Sequence, residues 1–276
     1  MTAAATLPSP LVEPAWIADR LDDASVRLIE IDVAPAAYRA GHIQGAALWN
    51  IYTDLRSHDY APIDAPGLQR LLSRSGVTDR TTVVFYGYGA HLGYWLLSSH
   101  GHVDVRLLDG PRERWLHTGH SWSLEEEPAP RPTAYALAPR DPRLHLSREA
   151  VLGMLGQPGQ LLLDVRSRAE YDGERFWPSG ATEGVGRAGH IPGSIHLPIE
   201  TLRAEDGRFT KPEVIRGLLL DHGVTPEYRV VTYCTIGNRA SQAWYALSNL
   251  LGYPDAGVYH GSWAEWGTRA DAPIEC

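Results

Sequence analysis

Short apolar runs alternate along the chain with segments in which apolar residues recur at helical spacing. The runs "QLLLDV" (160–165) and "RVVTY" (229–233) have the length and composition of buried strands. The segments "PAWIADRL" (14–21) and "SREAVLGML" (147–155) have helical spacing, and Ser147 is the predicted N-cap of the second. This alternation predicts an α/β fold in which parallel sheets carry helices on both faces.

The pattern occurs twice. The stretch "IDVAPAAYRAGHIQGAALWN" (31–50) reappears at 163–198, with an insertion before the shared Gly-His-Ile. Further along, "VVFYG" (83–87) matches "VVTYC" (230–234) in the same order. The sequence therefore predicts a tandem duplication.

The duplication divides the 276 residues into two domains of ordinary size. We expect a first domain over 1–123 and a second over 143–276. The segment between them, 124–142, is rich in proline and charge. It is predicted to be a linker that lies extended along the surface.

Charge and hydropathy narrow the possible partners. The net charge is −8 and no basic cluster is present, which argues against a nucleic-acid partner. The sequence has neither a signal-peptide pattern nor an apolar stretch of membrane-span length, so we expect a cytoplasmic protein without a membrane partner. Because a duplicated chain can pair its own domains, a monomer is expected.

Two cysteines are too few for a disulfide framework or, alone, for a structural zinc site. We therefore expect free thiols and no metal. Cys276 is at the end of the sequence and is predicted to be exposed and frayed. Cys234 instead follows the apolar run "RVVTY", at the carboxyl end of a predicted strand, where parallel sheets bind ligands.

A helix is predicted directly after the loop 234–239. Its apolar stripe consists of Ala240, Ala243, Trp244, Leu247, Leu250 and Leu251. At a helix N-terminus beside Arg239, a cysteine is favoured as the thiolate. Gly237 gives the tight turn its conformational freedom, and successive backbone amides in such a turn hold negative charge. The loop is thus predicted to hold a nucleophile in an anion-binding turn.

These residues resemble the two-domain rhodanese (thiosulfate sulfurtransferase) family over nearly the whole chain. The resemblance rests on the loop "CTIGNR" (234–239), the paired "GHI" elements after "DV", and the closing "VYHGSWAEW" (258–266). It implies tandem rhodanese-like domains, each a central parallel sheet flanked by helices. We expect the first domain to be catalytically silent because it lacks the matching functional residues. The aligned pairs that differ are Cys234 with Gly87, Arg239 with Leu92, and Arg166 with Ala34.

The resemblance implies a sulfurtransferase that needs no metal or organic cofactor. The Cys234 thiolate would take the sulfane sulfur of a small anionic donor, hold it as a persulfide and pass it to cyanide or a thiol. Backbone amides would stabilise the persulfide anion. The candidate substrate-binding residues are Thr235, Ile236, Gly237, Asn238, Arg239 and Arg166.

Glu170 bears on the identity of the donor. In the mercaptopyruvate branch of the family, an arginine precedes the aromatic residue of this segment and holds the substrate carboxylate. This chain has Glu170 before Tyr171. We expect Glu170 to repel mercaptopyruvate and to pair with Arg239, which favours thiosulfate, with 3-mercaptopyruvate as the alternative donor. Asp164 and Glu170 are expected to support the site without touching substrate.

Each assignment has a simpler alternative. Cys234 could be a small buried apolar residue, and Arg239 could form an idle ion pair. For Arg166, substrate binding and pairing with a neighbouring carboxylate are equally open. His42 and His190 occur in both "GHI" elements, so a structural role is expected for them.

Two other classes of protein compete with the sulfurtransferase. Cysteine phosphatases and arsenate reductases also place a thiolate and an arginine around such a loop, but with Cys-x5-Arg spacing, whereas Cys234 and Arg239 are spaced Cys-x4-Arg. A non-catalytic docking module is the third hypothesis. The glycine-rich insertion 173–186 is expected to shape the site entrance, with a plain surface loop as the alternative.

Overall fold

A computed structural model of the chain describes residues 9–57, 60–181 and 186–276. The first copy of the duplication contributes five strands: β1 (Leu11–Val12), β2 (Val26–Asp32), β3 (Ala47–Asn50), β4 (Thr82–Tyr86) and β5 (Val105–Leu108). Its helices are α1 (Pro14–Ala18), α2 (Ala36–Ala40), α3 (Ala65–Arg74), α4 (Ala90–Ser99) and α5 (Arg114–His117).

The second copy repeats this succession. Its strands are β6 (His145–Leu146), β7 (Gln160–Asp164), β8 (Ile195–His196), β9 (Arg229–Tyr233) and β10 (Ala256–Tyr259). Its helices are α6 (Arg148–Met154), α7 (Arg168–Tyr171), α8 (Pro212–Asp221), α9 (Asn238–Tyr245) and α10 (Ser262–Trp266). A 3-10 turn (Ile199–Leu202) and a π-helical turn (Ala246–Leu250) complete it.

Each copy forms one parallel five-stranded sheet, and the strand orders correspond: β1-β5-β4-β2-β3 and β6-β10-β9-β7-β8. The predicted tandem α/β fold is confirmed. Strand β9 lies at the centre of its sheet, between β10 and β7, and Val230 to Tyr233 are fully buried. A continuous apolar strand of this kind requires cover on both faces of the sheet.

Local signals at two helix ends have different outcomes. The Ser147 side chain accepts the Ala150 N–H at 3.3 Å, as predicted for an N-cap. The predicted stripe after Cys234 is α-helical only to Tyr245, because the chain then enters the π-helical turn. There the Leu251 N–H donates to the carbonyl of Ala246, which rotates the later residues relative to the stripe.

The two domains pack against each other through equivalent helices, α4 and α9. The rings of Tyr94 and Tyr245 have centroids 5.3 Å apart, and the Asn249 amide donates to the Tyr94 hydroxyl at 3.0 Å. One apolar core includes buried residues of both sheets. The active-site helix α9 is therefore buried between the domains.

Residues 124–142, all of them within the described part, form no helix or strand. They lie along the first domain, where the Thr133 N–H donates to the Ser73 carbonyl and Tyr135 is buried. This agrees with an extended connection, while the domain limits 1–123 and 143–276 stay predictions. Across the described ranges, no helix combines the length and apolar composition needed to cross a bilayer.

Candidate active site

Cys234 lies immediately after β9 and is 1% exposed. Its N–H donates to the Ser262 hydroxyl at 3.2 Å, and its carbonyl accepts the Trp263 N–H at 2.9 Å. Ser262 has φ +55, an uncommon conformation for a residue other than glycine. The closing "HGSW" segment thus fixes the backbone on both sides of the cysteine.

The sulfur of Cys234 accepts a backbone hydrogen bond from within its own loop. The Gly237 N–H donates to the Sγ atom at 3.1 Å. Gly237 has φ +86, and a Cβ there would lie 2.7 Å from Cδ2 of His260. Only glycine fits this turn, which directs an amide at the sulfur just before α9 begins at Asn238.

Arg239 and Glu170 form a bidentate ion pair behind the loop. Nη1 and Nη2 of Arg239 donate to Oε2 and Oε1 of Glu170 at 2.8 and 2.7 Å. The Thr235 hydroxyl donates to Glu170 Oε1 at 2.6 Å and accepts from Arg239 Nη2 at 2.6 Å. The ion pair expected from the sequence is therefore present, and the Thr235 hydroxyl forms hydrogen bonds with both of its members.

Glu170 is fully buried, yet the site keeps it ionised. Burial alone would raise its pKa, but the hydrogen bonds and charge of Arg239, with bonds from Thr235 and Ser167, lower this pKa to about 2. Ser167 and Glu170 also form the capping box of α7. The carboxylate is thereby fixed in place from both sides.

A cavity of about 40 Å³ faces the cysteine. This is room for a small anion or a few waters. The loop supplies Cys234, Thr235, Ile236, Asn238 and Arg239; the first domain supplies Val33, Tyr52 and Tyr88; and the insertion supplies Trp177 and Pro178.

The insertion lies at the cavity. Trp177 packs against Phe176 and against Tyr60 of the first domain, with ring centroids 5.0 Å away in each case. The entrance role expected for 173–186 accords with this placement. Residues 182–185 of the insertion lie outside the described residues.

Asn238 joins the domains across the cavity. It is 1% exposed, and its amide donates to the Tyr88 carbonyl at 3.2 Å. Its Oδ1 atom has no hydrogen-bond partner among the described residues. Asn238 is also one of the residues that line the cavity.

Arg166 does not line this cavity among the described residues. It is fully buried, and its guanidinium donates to both oxygens of Asp164 at 2.6 to 3.0 Å and to the Gly189 carbonyl at 2.7 Å. It also stacks on Trp263 at 4.4 Å. Of the two readings of Arg166, this geometry favours the structural one.

The first domain contains the same arrangement. Arg112 pairs with the fully buried Glu30 at 2.9 Å, donates to the Gly41 carbonyl and stacks on Trp122 at 4.6 Å. Gly41 corresponds to Gly189 in the shared "GHI" element. Because both copies contain this buried ion pair, the comparison between them favours a structural role for Arg166.

This correspondence corrects the alignment made from sequence. Strand pairing places Tyr86 beside Glu30 and the equivalent Tyr233 beside Asp164, so Glu30, not Asp32, matches Asp164. The residue of the first copy that is equivalent to Arg166 is then Asp32 rather than Ala34. The "DV" dipeptides at 32–33 and 164–165 are therefore offset by two residues in the structure, and the arginine of the first copy comes from a distant segment.

The remaining predicted features are structural. Nδ1 of His42 lies 3.0 Å from the Tyr38 carbonyl, and Nδ1 of His190 lies 2.9 Å from the Tyr171 carbonyl. Cys276 is exposed, as predicted, but the expected fraying is wrong. Glu275 exchanges two backbone hydrogen bonds with His190, which tie down the final residues.

No sequence pattern pointed to Arg56, which the first domain contributes to the loop. Its guanidinium donates to the carbonyls of Ile236, His260 and Tyr60, with 2.9 Å to His260. Arg56 is 5% exposed and belongs to a polar stretch, "DLRSHD". Its contacts with the loop cross more than 170 positions of sequence, which no local pattern encodes.

The fold and the site together define an α/β protein with a candidate cysteine nucleophile. The cysteine lies in a turn between a central parallel strand and a helix, and its sulfur accepts a backbone amide hydrogen bond. Within the described residues, no group of three or more His, Cys, Asp or Glu side chains is placed to hold a metal. The candidate site brings together the Cys234 thiol, the Gly237 backbone amide and an arginine paired with Glu170.

Comparison with known proteins identifies the family. The Rhodanese-like domain profile matches twice, at 13–118 and 147–269, so the chain belongs to the rhodanese family as a tandem of two such domains. The "Sulfur carrier protein TtuD" of Thermus thermophilus is 36% identical, over 97% of this chain and 96% of its own length. The "Putative thiosulfate sulfurtransferase SseA" of Mycobacterium tuberculosis is 37% identical, over 97% and 91%.

A solved structure extends the likeness. The anaerobic ergothioneine biosynthesis enzyme from Chlorobium limicola, in complex with trimethyl histidine, superposes with a TM-score of 0.86 at 26% identity. The match covers 96% of this chain and 70% of that one. Together with the family, these relatives support sulfur transfer as the activity.

Proposed function

We propose that the protein is a thiosulfate sulfurtransferase in which Cys234 carries the transferred sulfur as a persulfide. The observation that carries this proposal is the Gly237 N–H donated to the Cys234 sulfur at 3.1 Å, inside a cavity of about 40 Å³. A preorganised amide stabilises negative charge on sulfur without reorganisation during transfer.

Transfer takes place in two displacements. A lone pair of the Cys234 thiolate attacks the sulfane sulfur of thiosulfate; the new S–S bond forms as the old one breaks, and sulfite leaves with the electron pair. An acceptor, cyanide or a thiolate, then attacks the outer sulfur of the persulfide and regenerates the thiolate. Atoms and charge balance in both steps, and no external oxidant is needed.

The pairing of the arginines supports thiosulfate over 3-mercaptopyruvate. A donor carboxylate is best held by a free guanidinium, but Arg239 is bound by Glu170 and Arg166 by Asp164. Thiosulfate needs only hydrogen-bond donors around its oxygens. The acceptor is a small nucleophile or a protein thiol, and the Thermus relative is named a sulfur carrier protein.

The test is sulfite release from thiosulfate with cyanide as acceptor, run beside 3-mercaptopyruvate. Wild type and Cys234→Ser are compared, with Cys276→Ser as the matched control for a second thiol. We expect turnover with thiosulfate that is lost in Cys234→Ser and kept in Cys276→Ser. Intact mass should show one extra sulfur on wild type after thiosulfate, which cyanide removes.

Three results would overturn the proposal in whole or in part. A higher kcat/KM for 3-mercaptopyruvate would reassign the donor and leave the persulfide mechanism in place. Absence of any persulfide, with turnover of an aryl phosphate that Cys234→Ser abolishes, would instead assign phosphatase chemistry to the loop. Absence of both would leave the docking hypothesis.

A further inference from the structure

Arg239 lies near Cys234 but is not a free cation. Its guanidinium is neutralised by the bidentate pair with the fully buried Glu170. Arg56 differs, because no carboxylate of the described residues lies within ion-pair distance of it. Within the described residues, the Arg56 guanidinium donates its hydrogen bonds to carbonyl oxygens, so no carboxylate pairs with it directly.

Arg56 reaches the cysteine through one peptide group. Its Nη2 atom donates to the carbonyl of Ile236, and the N–H of the same peptide belongs to Gly237. That N–H donates to the Cys234 sulfur at 3.1 Å. A cation bound to the oxygen of a peptide polarises it and makes its N–H a stronger donor, so the two hydrogen bonds reinforce each other.

We propose that Arg56, supplied by the silent domain, is a positioning residue that strengthens the Gly237 hydrogen bond to the Cys234 sulfur and so stabilises the thiolate and the persulfide anion. The second half of this statement rests on the proposed function; the first half concerns the thiol alone. The silent domain is then part of the active site rather than only its cover.

Burial leaves Arg56 charged. Desolvation lowers its pKa to about 10, partly offset by the negative charge of Cys234, so the guanidinium is protonated near neutral pH. Other ionisable groups also face this region and would influence a pH profile. They are Tyr52, Glu265 and Tyr259 around Arg56, the buried ring of His260 beside it, and Arg239, Glu170 and Tyr88 around the cysteine.

The experiment measures how fast iodoacetamide alkylates Cys234 as a function of pH, in the full-length chain with Cys276→Ser as background. Iodoacetamide is uncharged, so the alkylation rate reports the fraction of Cys234 present as thiolate. Electrostatic attraction between the protein and the reagent does not contribute. The variants are Arg56→Met, Arg56→Lys and, as the matched control, Tyr94→Phe. Tyr94→Phe also removes an interdomain hydrogen bond, the one from Asn249, but leaves the Ile236–Gly237 peptide untouched.

We expect the midpoint of the alkylation profile to move upward by about one pH unit in Arg56→Met. Arg56→Lys should restore part of the shift, because it keeps the charge but not the forked geometry. Tyr94→Phe should match wild type. The rate of persulfide formation from thiosulfate should fall in the same order.

A profile for folded Arg56→Met that coincides with wild type would refute the proposal. So would an equal shift in Tyr94→Phe, which would assign the effect to looser domain packing. If Arg56→Met does not fold, Arg56→Lys decides: a partial upward shift supports the proposal, and a profile that coincides with wild type refutes it. Because alkylation requires no sulfur donor, a failure of thiosulfate turnover would not affect this test.

Discussion

The buried ion pair between Glu170 and Arg239 predicts a pH-dependent contribution to stability. The pKa of Glu170 falls from its ordinary 4.5 to about 2 in the folded protein, chiefly because Arg239 outweighs the cost of burial. A carboxylate with a depressed pKa stabilises the fold above its unfolded pKa, and this stability is lost as pH falls toward the folded value. The shift corresponds to roughly 3 kcal/mol of unfolding free energy at neutral pH.

Glu170→Gln should therefore lower the free energy of unfolding by roughly 3 kcal/mol at pH 7, since a neutral amide cannot replace the bidentate acceptor. At pH 3 much of the wild-type advantage is already gone, and the difference should shrink to about 1.5 kcal/mol. Urea unfolding at both pH values, followed by tryptophan fluorescence, measures this difference. Glu213→Gln, which changes an exposed glutamate of α8, is the control.

The pH dependence decides the outcome. A difference between Glu170→Gln and wild type that is the same at pH 7 and pH 3 would show that packing, not charge, explains the loss. A difference below about 0.5 kcal/mol at both pH values would show that the buried pair contributes no more than an exposed one. Either result would refute the electrostatic account of the site.

Three further variants test other parts of the site. Gly237→Ala places a Cβ 2.7 Å from Cδ2 of His260 at φ +86 and should cost about 1–3 kcal/mol in unfolding free energy, with slower persulfide formation measured by intact mass. Trp177→Ala opens the cavity wall and should lower discrimination against bulky thiol acceptors, read from kcat/KM for small and large thiols. Arg166→Met leaves Asp164 buried and unpaired, so it should cost roughly 3–5 kcal/mol in unfolding free energy while the KM for thiosulfate of the folded fraction is unchanged.

Local sequence patterns were sufficient for much of the fold and for the centre of the site. The apolar run before Cys234, the glycine at 237 and the duplication predicted a strand, a tight turn and two matching domains. The Glu170–Arg239 pair was also predictable, because a carboxylate replaces the usual arginine at one family position. These features depend on short segments or on one comparison of residue types.

What could not be predicted depends on contacts between distant segments. Arg56 belongs to a polar stretch without periodicity, and only the packing of the first domain on the second brings it to the Ile236 carbonyl. The equivalence of Glu30 and Asp164 was hidden for the same reason. Their arginine partners, Arg112 and Arg166, come from different places in the two copies. The strand register shows that Glu30 and Asp164 are equivalent, whereas the sequence alignment does not.

The first domain differs from the second by more than the missing cysteine. In the second domain four residues, 234–237, separate β9 from α9, whereas only three, 87–89, separate β4 from α4 in the first. Gly87, aligned with Cys234, has φ +88, and a Cβ there would lie 3.0 Å from the Ile31 carbonyl oxygen. A cysteine could therefore not be restored there without rebuilding the turn. The first domain keeps the sheet and the buried ion pair, and its contribution to the site comes through Arg56 and the cavity wall.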